Sequence, residues 1–382
     1  MNQKPTWTNE TFSVEKLNKS NLETPFLLID SNDIRDKYRK LKASLPSAKI
    51  HYAVKCNPEE EILKILASEG SGFEIASAAE ARRVEGLVDF QDIIFSNPIK
   101  SVSDIQKAFN MGITKFAFDS SSEILKLANH APGSEVFLRL SVSNEGSTIP
   151  LTKKFGAPPD EALNLINAAR EHGLKVIGIS FHVGSQAEDI QVWSEALRVA
   201  AQIVHLAEDA SHSLTVLNLG GGFPVRYSEP VPSVQEVGET IKIAIQKYNL
   251  SHLELWLEPG RYLVAEAGIV GSTIVGDIQR GQTRWLYLDV GRFNCFTELF
   301  ESEDIRYPVL SSKDTNTVPP QGSSTTALTG PTCDSFDTIY TDAVVNSAVQ
   351  EGDRLYFCSA GAYTHVYGST FNDFPIPKVV VV

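Results

Sequence analysis

Tyr52-Ala-Val-Lys-Cys-Asn-Pro58 sets a lysine at the end of a short apolar strand, just before a proline that can open a helix. A flexible cation gains nothing from a strand terminus unless its amine has work there. A buried lysine amine with a lowered pKa is the usual way to hold a carbonyl compound as a Schiff base. Taken alone, the heptapeptide fits a solvated lysine equally well. The segments that follow decide between the two readings.

From Lys55 onward, apolar runs alternate with amphipathic helical stretches. Candidate strands are Ile50 to Val54, Gly72 to Ser77, Asp92 to Asn97, Lys115 to Asp119, Val136 to Leu140, Val176 to Val183, Thr215 to Leu219 and Glu254 to Glu258. Helical periodicity is clearest in Pro58 to Glu69, Ser77 to Leu87, Asp160 to His172 and Asp189 to Asp209. Eight such units predict a parallel (β/α)8 TIM barrel over residues 31–262. Active sites of that fold lie at the C-terminal strand ends, where the loops converge. Lys55, Glu74, Asn97, Asp119, Arg139, His182, Gly220 to Gly222 and Glu258 all fall at those ends.

The chain has 382 residues, more than one barrel needs. After Arg261 short β-rich runs take over: Gly268 to Val275, Trp285 to Val290, Ala327 to Gly330, Arg354 to Ser359 and Lys378 to Val382. Thr24-Pro-Phe-Leu-Leu-Ile-Asp30 precedes the barrel and is expected to join them, giving an α/β plus all-β molecule. Its second domain, a sandwich or barrel-like β-domain, would be built from both chain ends, residues 1–30 and 263–382. Ser311 to Thr326, rich in Ser, Thr, Pro, Gln and Gly, reads as an exposed loop.

Net charge is −13, the pI is near 5.2 and no Lys/Arg face is clustered. That argues against nucleic acid or an anionic membrane as partner and suits cationic small molecules. The start, Met1-Asn-Gln-Lys-Pro-Thr-Trp7, lacks the apolar core of a secretory signal, and no apolar run reaches the length of a membrane span. Cys56, Cys295, Cys333 and Cys358 lie far apart without a C-x-x-C pair, so neither a metal site nor a disulfide framework is expected. These features together predict a cytoplasmic protein.

Three pieces signal phosphate binding. Asn218-Leu-Gly-Gly-Gly-Phe-Pro224 ends a strand with glycines that let backbone N–H groups approach an anion; a tight turn would explain the glycines alone. Glu258-Pro-Gly-Arg261 ends the next strand, and TIM barrels frequently bind phosphate with the loops after strands seven and eight. Phe181-His-Val-Gly-Ser-Gln186 adds a histidine and a serine hydroxyl. Neither G-x-G-x-x-G nor G-x-x-x-x-G-K-[ST] occurs, so the glycines do not suggest a dinucleotide or nucleoside triphosphate. A strand-one lysine, a strand-eight glutamate and a phosphate cradle describe a pyridoxal phosphate site, in which a carboxylate keeps the pyridine nitrogen protonated.

At this point the chain resembles the fold-type III pyridoxal phosphate decarboxylases, whose fold is that of alanine racemase, and among them ornithine decarboxylase and its bacterial lysine/ornithine relatives. The resemblance runs from about Thr24 to the C-terminus. It rests on Tyr52-Ala-Val-Lys-Cys-Asn57, Gly72-Phe-Glu-Ile-Ala-Ser77, Lys154-Phe-Gly156, Phe181-His-Val-Gly-Ser185, Gly220-Gly-Gly-Phe-Pro224, Glu258-Pro-Gly-Arg261, Gly330-Pro-Thr-Cys-Asp334 and Gly361-Ala-Tyr363. It implies that Lys55 is the Schiff-base lysine, that His182 stacks on the cofactor ring, that Glu258 pairs with the ring nitrogen and that Arg139 belongs to the polar network near Lys55. Ser185, Gly220, Gly221, Gly222, Arg261 and Tyr363 are the implied phosphate contacts. Cys333 is the implied acid that reprotonates the α-carbon after carbon dioxide leaves, and Asp334 the contact to the substrate's distal amine. The resemblance further implies a homodimer with active sites shared across the interface, the Cys333 loop of one subunit reaching Lys55 of the partner subunit. Outside their motifs, Cys333 would read as a small buried apolar side chain, His182 as a core histidine and Tyr363 as a packed tyrosine.

Ornithine decarboxylases carry a Tyr-Asp pair after a Phe-Asn-Cys stretch; this chain has Phe293-Asn-Cys-Phe-Thr-Glu-Leu-Phe-Glu301, offering Glu298 and Glu301. Bacterial lysine/ornithine relatives place a glutamate in much the same segment, so ornithine or lysine is the expected substrate. Arginine, diaminobutyrate or a conjugated amino acid such as a siderophore intermediate stands as the alternative. Glu74 replaces the family's common aspartate, and Asn372-Asp373 its Asn-Gly. Diaminopimelate decarboxylases carry Cys-Glu where this chain has Cys333-Asp334. A racemase of the alanine type would need a tyrosine acid facing the lysine and no Cys-Asp loop. A non-catalytic homologue would be expected to lose the lysine, the cysteine or the cradle, and all three are present.

Overall fold

The computed structural model describes residues 12–151, 154–314 and 323–382. It divides into two compact units, Arg35–Pro224 with Val231–Tyr262, and Met1–Ile34 with Val225–Pro230 and Leu263–Val382.

The first unit is a closed barrel of eight parallel strands: Lys49–Ala53, Gly72–Ile75, Ile93–Phe95, Lys115–Phe118, Glu135–Arg139, Lys175–Ser180, Val216–Asn218 and Glu254–Leu257. Trp256 and Leu257 pair with Lys49 and Ile50 to close it. These strands read as near-continuous apolar runs because both faces are covered, one by the barrel interior and one by helices. Ile94, Ala117, Phe137, Val216 and Trp256 pack as one buried cluster, with Trp256 edge-on to Phe137 at 5.9 Å. The helices carry their own start signals. Val234–Lys247 opens on a capping box in which Ser233 accepts from Glu236 N–H and Glu236 accepts from Ser233 N–H.

The second unit is an eight-stranded, mostly antiparallel sheet in the order Val309–Ser311, Arg354–Phe357, Gly268–Arg280, Thr283–Leu288, Ser323–Thr329, Thr338–Asn346, with two further strands, one beside Gly268–Arg280 and the second beside that one. One of these is Phe26–Ile29, the expected N-terminal strand, antiparallel to Gly268–Gly271 and parallel to Lys378–Val381. All four of its residues are buried, and the Phe26 ring occupies the space that a side chain at Gly271 would need. Phe12, Leu17, Phe26, Ile269, Leu310 and Tyr356 form the core beneath.

One expectation needs correcting. Of the loop read from Ser311 to Thr326, Ser311 ends one strand and Ser323–Thr326 begin another, paired with Asn346–Ala343; residues 315–322 lie outside the described residues. Polar Ser and Thr suggested a loop, yet Thr is β-branched and fits a pleated strand well. The strand Thr338–Asn346, which pairs with it, was not foreseen.

Candidate active site

The barrel puts chemistry-bearing residues at the strand ends because each strand stops where its apolar run stops. Lys55 sits in the 3-10 turn Val54–Cys56 directly after the first strand, Glu74 in the second strand and Arg139 at the end of the fifth. His182 and Glu258 each follow their strands by one or two residues. The Lys55 ammonium donates to the Glu74 carboxylate, which is buried, although 46% of the lysine side chain is exposed.

The expected lowered pKa of Lys55 is not what this arrangement produces. Partial desolvation of the ammonium pulls it down, but attraction to Glu74 and Glu258, the Glu74 hydrogen bond and the charge of Glu80 together hold it above the ordinary lysine value. Those carboxylates come from distant parts of the sequence, so the heptapeptide could not reveal them. Glu258 is held high by burial and by repulsion from Glu74, against the pull of Lys55 and the hydrogen bonds from Ser96 and from Asn218 Nδ2, the latter 2.6 Å. Glu80 is likewise raised, by burial and by Glu74, while accepting from Ala76 N–H at 2.6 Å. Burial, with Arg139 and Lys55 adding to it, drives His182 down to about 3, so its imidazole is neutral. Gly184 N–H donates to Nδ1 at 3.1 Å, which leaves the ring proton on Nε2.

Ser96, Asn218 and Glu80 were missed in the sequence. Asn218 closes its strand two residues before the first of the glycines, and Ser96 precedes Asn97, so the strand-end rule would have found both. The Ser96 loop is pinned by the Lys100 ammonium, fully buried, which donates to Asn97 O (3.0 Å), Pro98 O (3.1 Å) and Ala117 O (2.6 Å) and pairs with Glu123 at 3.2 Å. Asn97 and Asp119 support neighbouring loops: Asn97 donates to Ala76 O at 3.5 Å, and Asp119 accepts from Gly156 N–H at 2.9 Å. Arg139 lies over the Phe155 ring at 5.3 Å, and burial lowers its pKa.

Gly220, Gly221 and Gly222 form a concave turn with no space for side chains. A Cβ on Gly220 would lie 2.5 Å from Phe181 O, on Gly221 2.6 Å from Glu258 O and on Gly222 2.5 Å from Gly184 O. Gly220 (φ 66°) and Gly222 (φ 99°) are left-handed, a conformation glycine adopts freely. Beside them, buried Arg261 donates to Ser185 Oγ through Nε (3.2 Å) and through a terminal nitrogen (3.1 Å).

The β-unit holds the other residues. Cys333 is exposed; its backbone N–H and its thiol lie 3.3 and 3.4 Å from Asn372 Oδ1. Asp334 starts the 3-10 turn Ser335–Asp337 and accepts from Phe336 N–H at 2.9 Å. Glu298, in the 3-10 turn Thr297–Phe300, is buried, whereas Glu301 is exposed. Tyr363 adopts φ 54° and stacks near Tyr367 at 5.7 Å.

A family model described as pyridoxal-dependent decarboxylase, pyridoxal binding domain, matches residues 31–265. The lysine/ornithine decarboxylase of Selenomonas ruminantium is 34% identical over 94% of this chain and 90% of its own length. The crystal structure of a lysine/ornithine decarboxylase from Vibrio vulnificus complexed with putrescine has a TM-score of 0.87 at 30% identity, over 97% of this chain and 98% of that one. The arginine decarboxylase of Paramecium bursaria Chlorella virus bound to agmatine has a TM-score of 0.89 at 27% identity, over 97% and 99%. Pyridoxal phosphate fits the barrel's donor set: its aldehyde calls for an amine, its ring nitrogen for a carboxylate and its phosphate for a glycine turn beside an arginine. With the family model covering more than half of it, the chain belongs to the pyridoxal-dependent decarboxylases.

Proposed function

We propose that this enzyme removes carbon dioxide from a basic diamino L-amino acid, ornithine or lysine, to leave the diamine putrescine or cadaverine. The observation that carries the reading is the Lys55 ammonium among Glu74, Glu80 and Glu258 in the barrel that also bears the glycine turn and Arg261. The names of the relatives favour this substrate class.

Lys55 would hold the cofactor aldehyde, and Ser185, Gly220 to Gly222, Arg261 and Tyr363 its phosphate. Once bound, pyridoxal phosphate supplies the electron sink that takes up the pair left behind by departing carbon dioxide. Glu258, positioned by hydrogen bonds from Ser96 and Asn218, would set its carboxylate against the cofactor's ring nitrogen. His182 packs as a neutral ring and adds no positive charge there. Arg139 balances the carboxylates near Lys55. Cys333 gives its thiol proton to the α-carbon. Asp334 and Glu298 meet the distal ammonium, whose burial without an opposing charge would cost several kcal/mol.

The working form is a cytoplasmic homodimer. Its support is the set of aromatic side chains exposed on the β-unit: Phe336 at 71%, close in sequence to Cys333, Phe300 at 43% and Phe371 at 42%, both in ring contact with Phe293, and Tyr367 at 44%, in ring contact with Tyr363. Among the described residues no helix is long and apolar enough to cross a membrane.

Carbon dioxide release from L-ornithine, L-lysine and L-arginine tests the reaction. Release from ornithine or lysine is expected; release from arginine alone would move the substrate to a guanidinium. Mixing Lys55→Ala with Cys333→Ala should restore part of the activity, because a mixed dimer assembles one intact site. No recovery after verified subunit exchange would place both residues within one chain.

A further inference from the structure

We propose that Asn372 is a positioning residue that holds the Cys333 thiol in place, and that the left-handed turn Asn372-Asp373 exists to place its amide. The proposal deepens the reading of Cys333 as the proton donor and rests on it.

The Cys333 loop is fixed from behind by Asp337: Gly330 N–H donates to its carbonyl at 2.8 Å and Thr332 N–H to its carboxylate at 3.0 Å. Asn372 meets the same loop through one atom, 3.3 Å from Cys333 N and 3.4 Å from Sγ. A backbone N–H only donates, so the atom facing it must be the amide oxygen and not the amide nitrogen. An oxygen acceptor in turn meets a thiol favourably only as S–H; a thiolate there would face a lone pair. The contact therefore anchors the S–H group and the loop backbone at one shared point.

The backbone supports this purpose. Asn372 (φ 56°) and Asp373 (φ 60°) are consecutive non-glycine residues in the left-handed region, where Asn and Asp are the side chains best tolerated. The segment is tied down on both sides: Ser369 N–H donates to Phe293 O at 2.8 Å, Asn294 Nδ2 donates to Pro375 O at 2.9 Å, and the Phe371 ring lies 5.1 Å from Phe293. The amide thus has a fixed origin, independent of the loop it touches.

In the step served, the S–H bond breaks, its proton forms the new C–H bond at the α-carbon, and the thiolate recovers a proton from water. Were the Cys333 thiol misaimed, protonation of the α-carbon would fail and the cofactor would leave in its amine form, pyridoxamine phosphate, with one water consumed to release an amino aldehyde.

Two substitutions separate the side chain from the turn. Asn372→Gly keeps a left-handed backbone open and deletes the acceptor. Asn372→Asp keeps size and acceptor and adds a negative charge. Alkylation of Cys333 by iodoacetamide in the purified holoenzyme, read by peptide mass spectrometry, reports the thiol directly; Cys56, Cys295 and Cys358 are buried. Asn372→Gly should speed alkylation about fivefold, the factor equivalent to one net hydrogen bond of ~1 kcal/mol, and Asn372→Asp should slow it. Under turnover, Asn372→Gly should raise the yield of pyridoxamine phosphate per diamine, and Asn372→Asp should restore the wild-type ratio. Unchanged alkylation in Asn372→Gly, or shifts of the same sign in both variants, would leave Asn372 as a backbone prop and overturn the proposal. Cys333→Ala with the wild-type product ratio would remove the underlying reading of Cys333; misdirected product in Cys333→Ala but not in Asn372→Gly would overturn the proposal alone.

Discussion

In the barrel, Glu74 and Glu123 are buried against lysine ammoniums and Glu258 accepts from two side chains. In the β-unit, Cys333 is exposed against one amide and Asp334 accepts from the backbone of its own turn. The barrel's charges are therefore set by one another, inside a frame of strands that fixes their separation. The residues proposed to act from the β-unit ride on short turns and loops that are fastened largely by backbone hydrogen bonds. Substitution in the barrel should change the charge balance, and with it cofactor binding and stability. Substitution on the β-unit turns should change what substrate is met while the fold stands.

The sharpest way to break that contrast is Lys55→Ala. The variant should lose the absorbance near ~420 nm expected of a bound aldehyde and roughly a thousandfold or more of kcat, as when a residue forming a covalent link is removed. Asp334→Ala should keep the band at full strength. If Lys55→Ala kept the band, or Asp334→Ala lost it, the division of labour between the units would be wrong.

A second test uses pH on the protein stripped of cofactor. Glu258 and Glu80 have folded pKa values raised above the ordinary carboxylate, so the fold binds their protons more tightly than the unfolded chain does. Their contribution to stability is complete below the unfolded value of about 4.5 and is lost as pH rises through the folded values. His182 has the opposite sign: with a folded pKa of about 3, its contribution is complete above the unfolded value near 6.5 and is lost as pH falls towards 3. Glu258→Gln should accordingly raise the thermal midpoint of the apo-protein near neutral pH and flatten its decline with rising pH, while lowering kcat by about a hundredfold for want of the charge facing the ring nitrogen. A variant with the wild-type pH slope would show that Glu258 is not the strained carboxylate of the barrel.

Much of this was legible in the chain because a barrel strand buried on both faces is written as an apolar run, and the polar residue that ends it is the residue at the mouth. The antiparallel strands Ser323–Thr329 and Thr338–Asn346 were harder to read, since each mixes polar and apolar residues as one-sided strands do. What no local reading could supply was the field at Lys55, made by carboxylates from positions 74, 80 and 258, or the meeting of Cys333 with Asn372, 39 residues apart. Both depend on which chain segments the fold brings together, and motif spacing along the sequence does not encode that.

The finest test lies on the β-unit turns. Asp334→Ala should lower kcat/KM for a diamino acid by about 2 kcal/mol, the scale of a lost charged hydrogen bond, with little change in thermal midpoint. Glu298→Ala should do less to either rate and more to their ratio. Its carboxylate is buried on a 3-10 turn while Glu301 is exposed, so Glu298 is the group with a fixed position from which to measure substrate length. Ornithine and lysine differ by one methylene, a difference worth about 1 kcal/mol or somewhat more in a fitted site, so removing the reference point should shift the lysine-to-ornithine ratio of kcat/KM severalfold. Glu298→Gln separates charge from length: if the charge sets the choice, Gln should reproduce the Ala ratio, and if reach sets it, Gln should keep the wild-type ratio. A ratio untouched by both, but moved by Glu301→Ala, would transfer the role to the exposed carboxylate one turn further on.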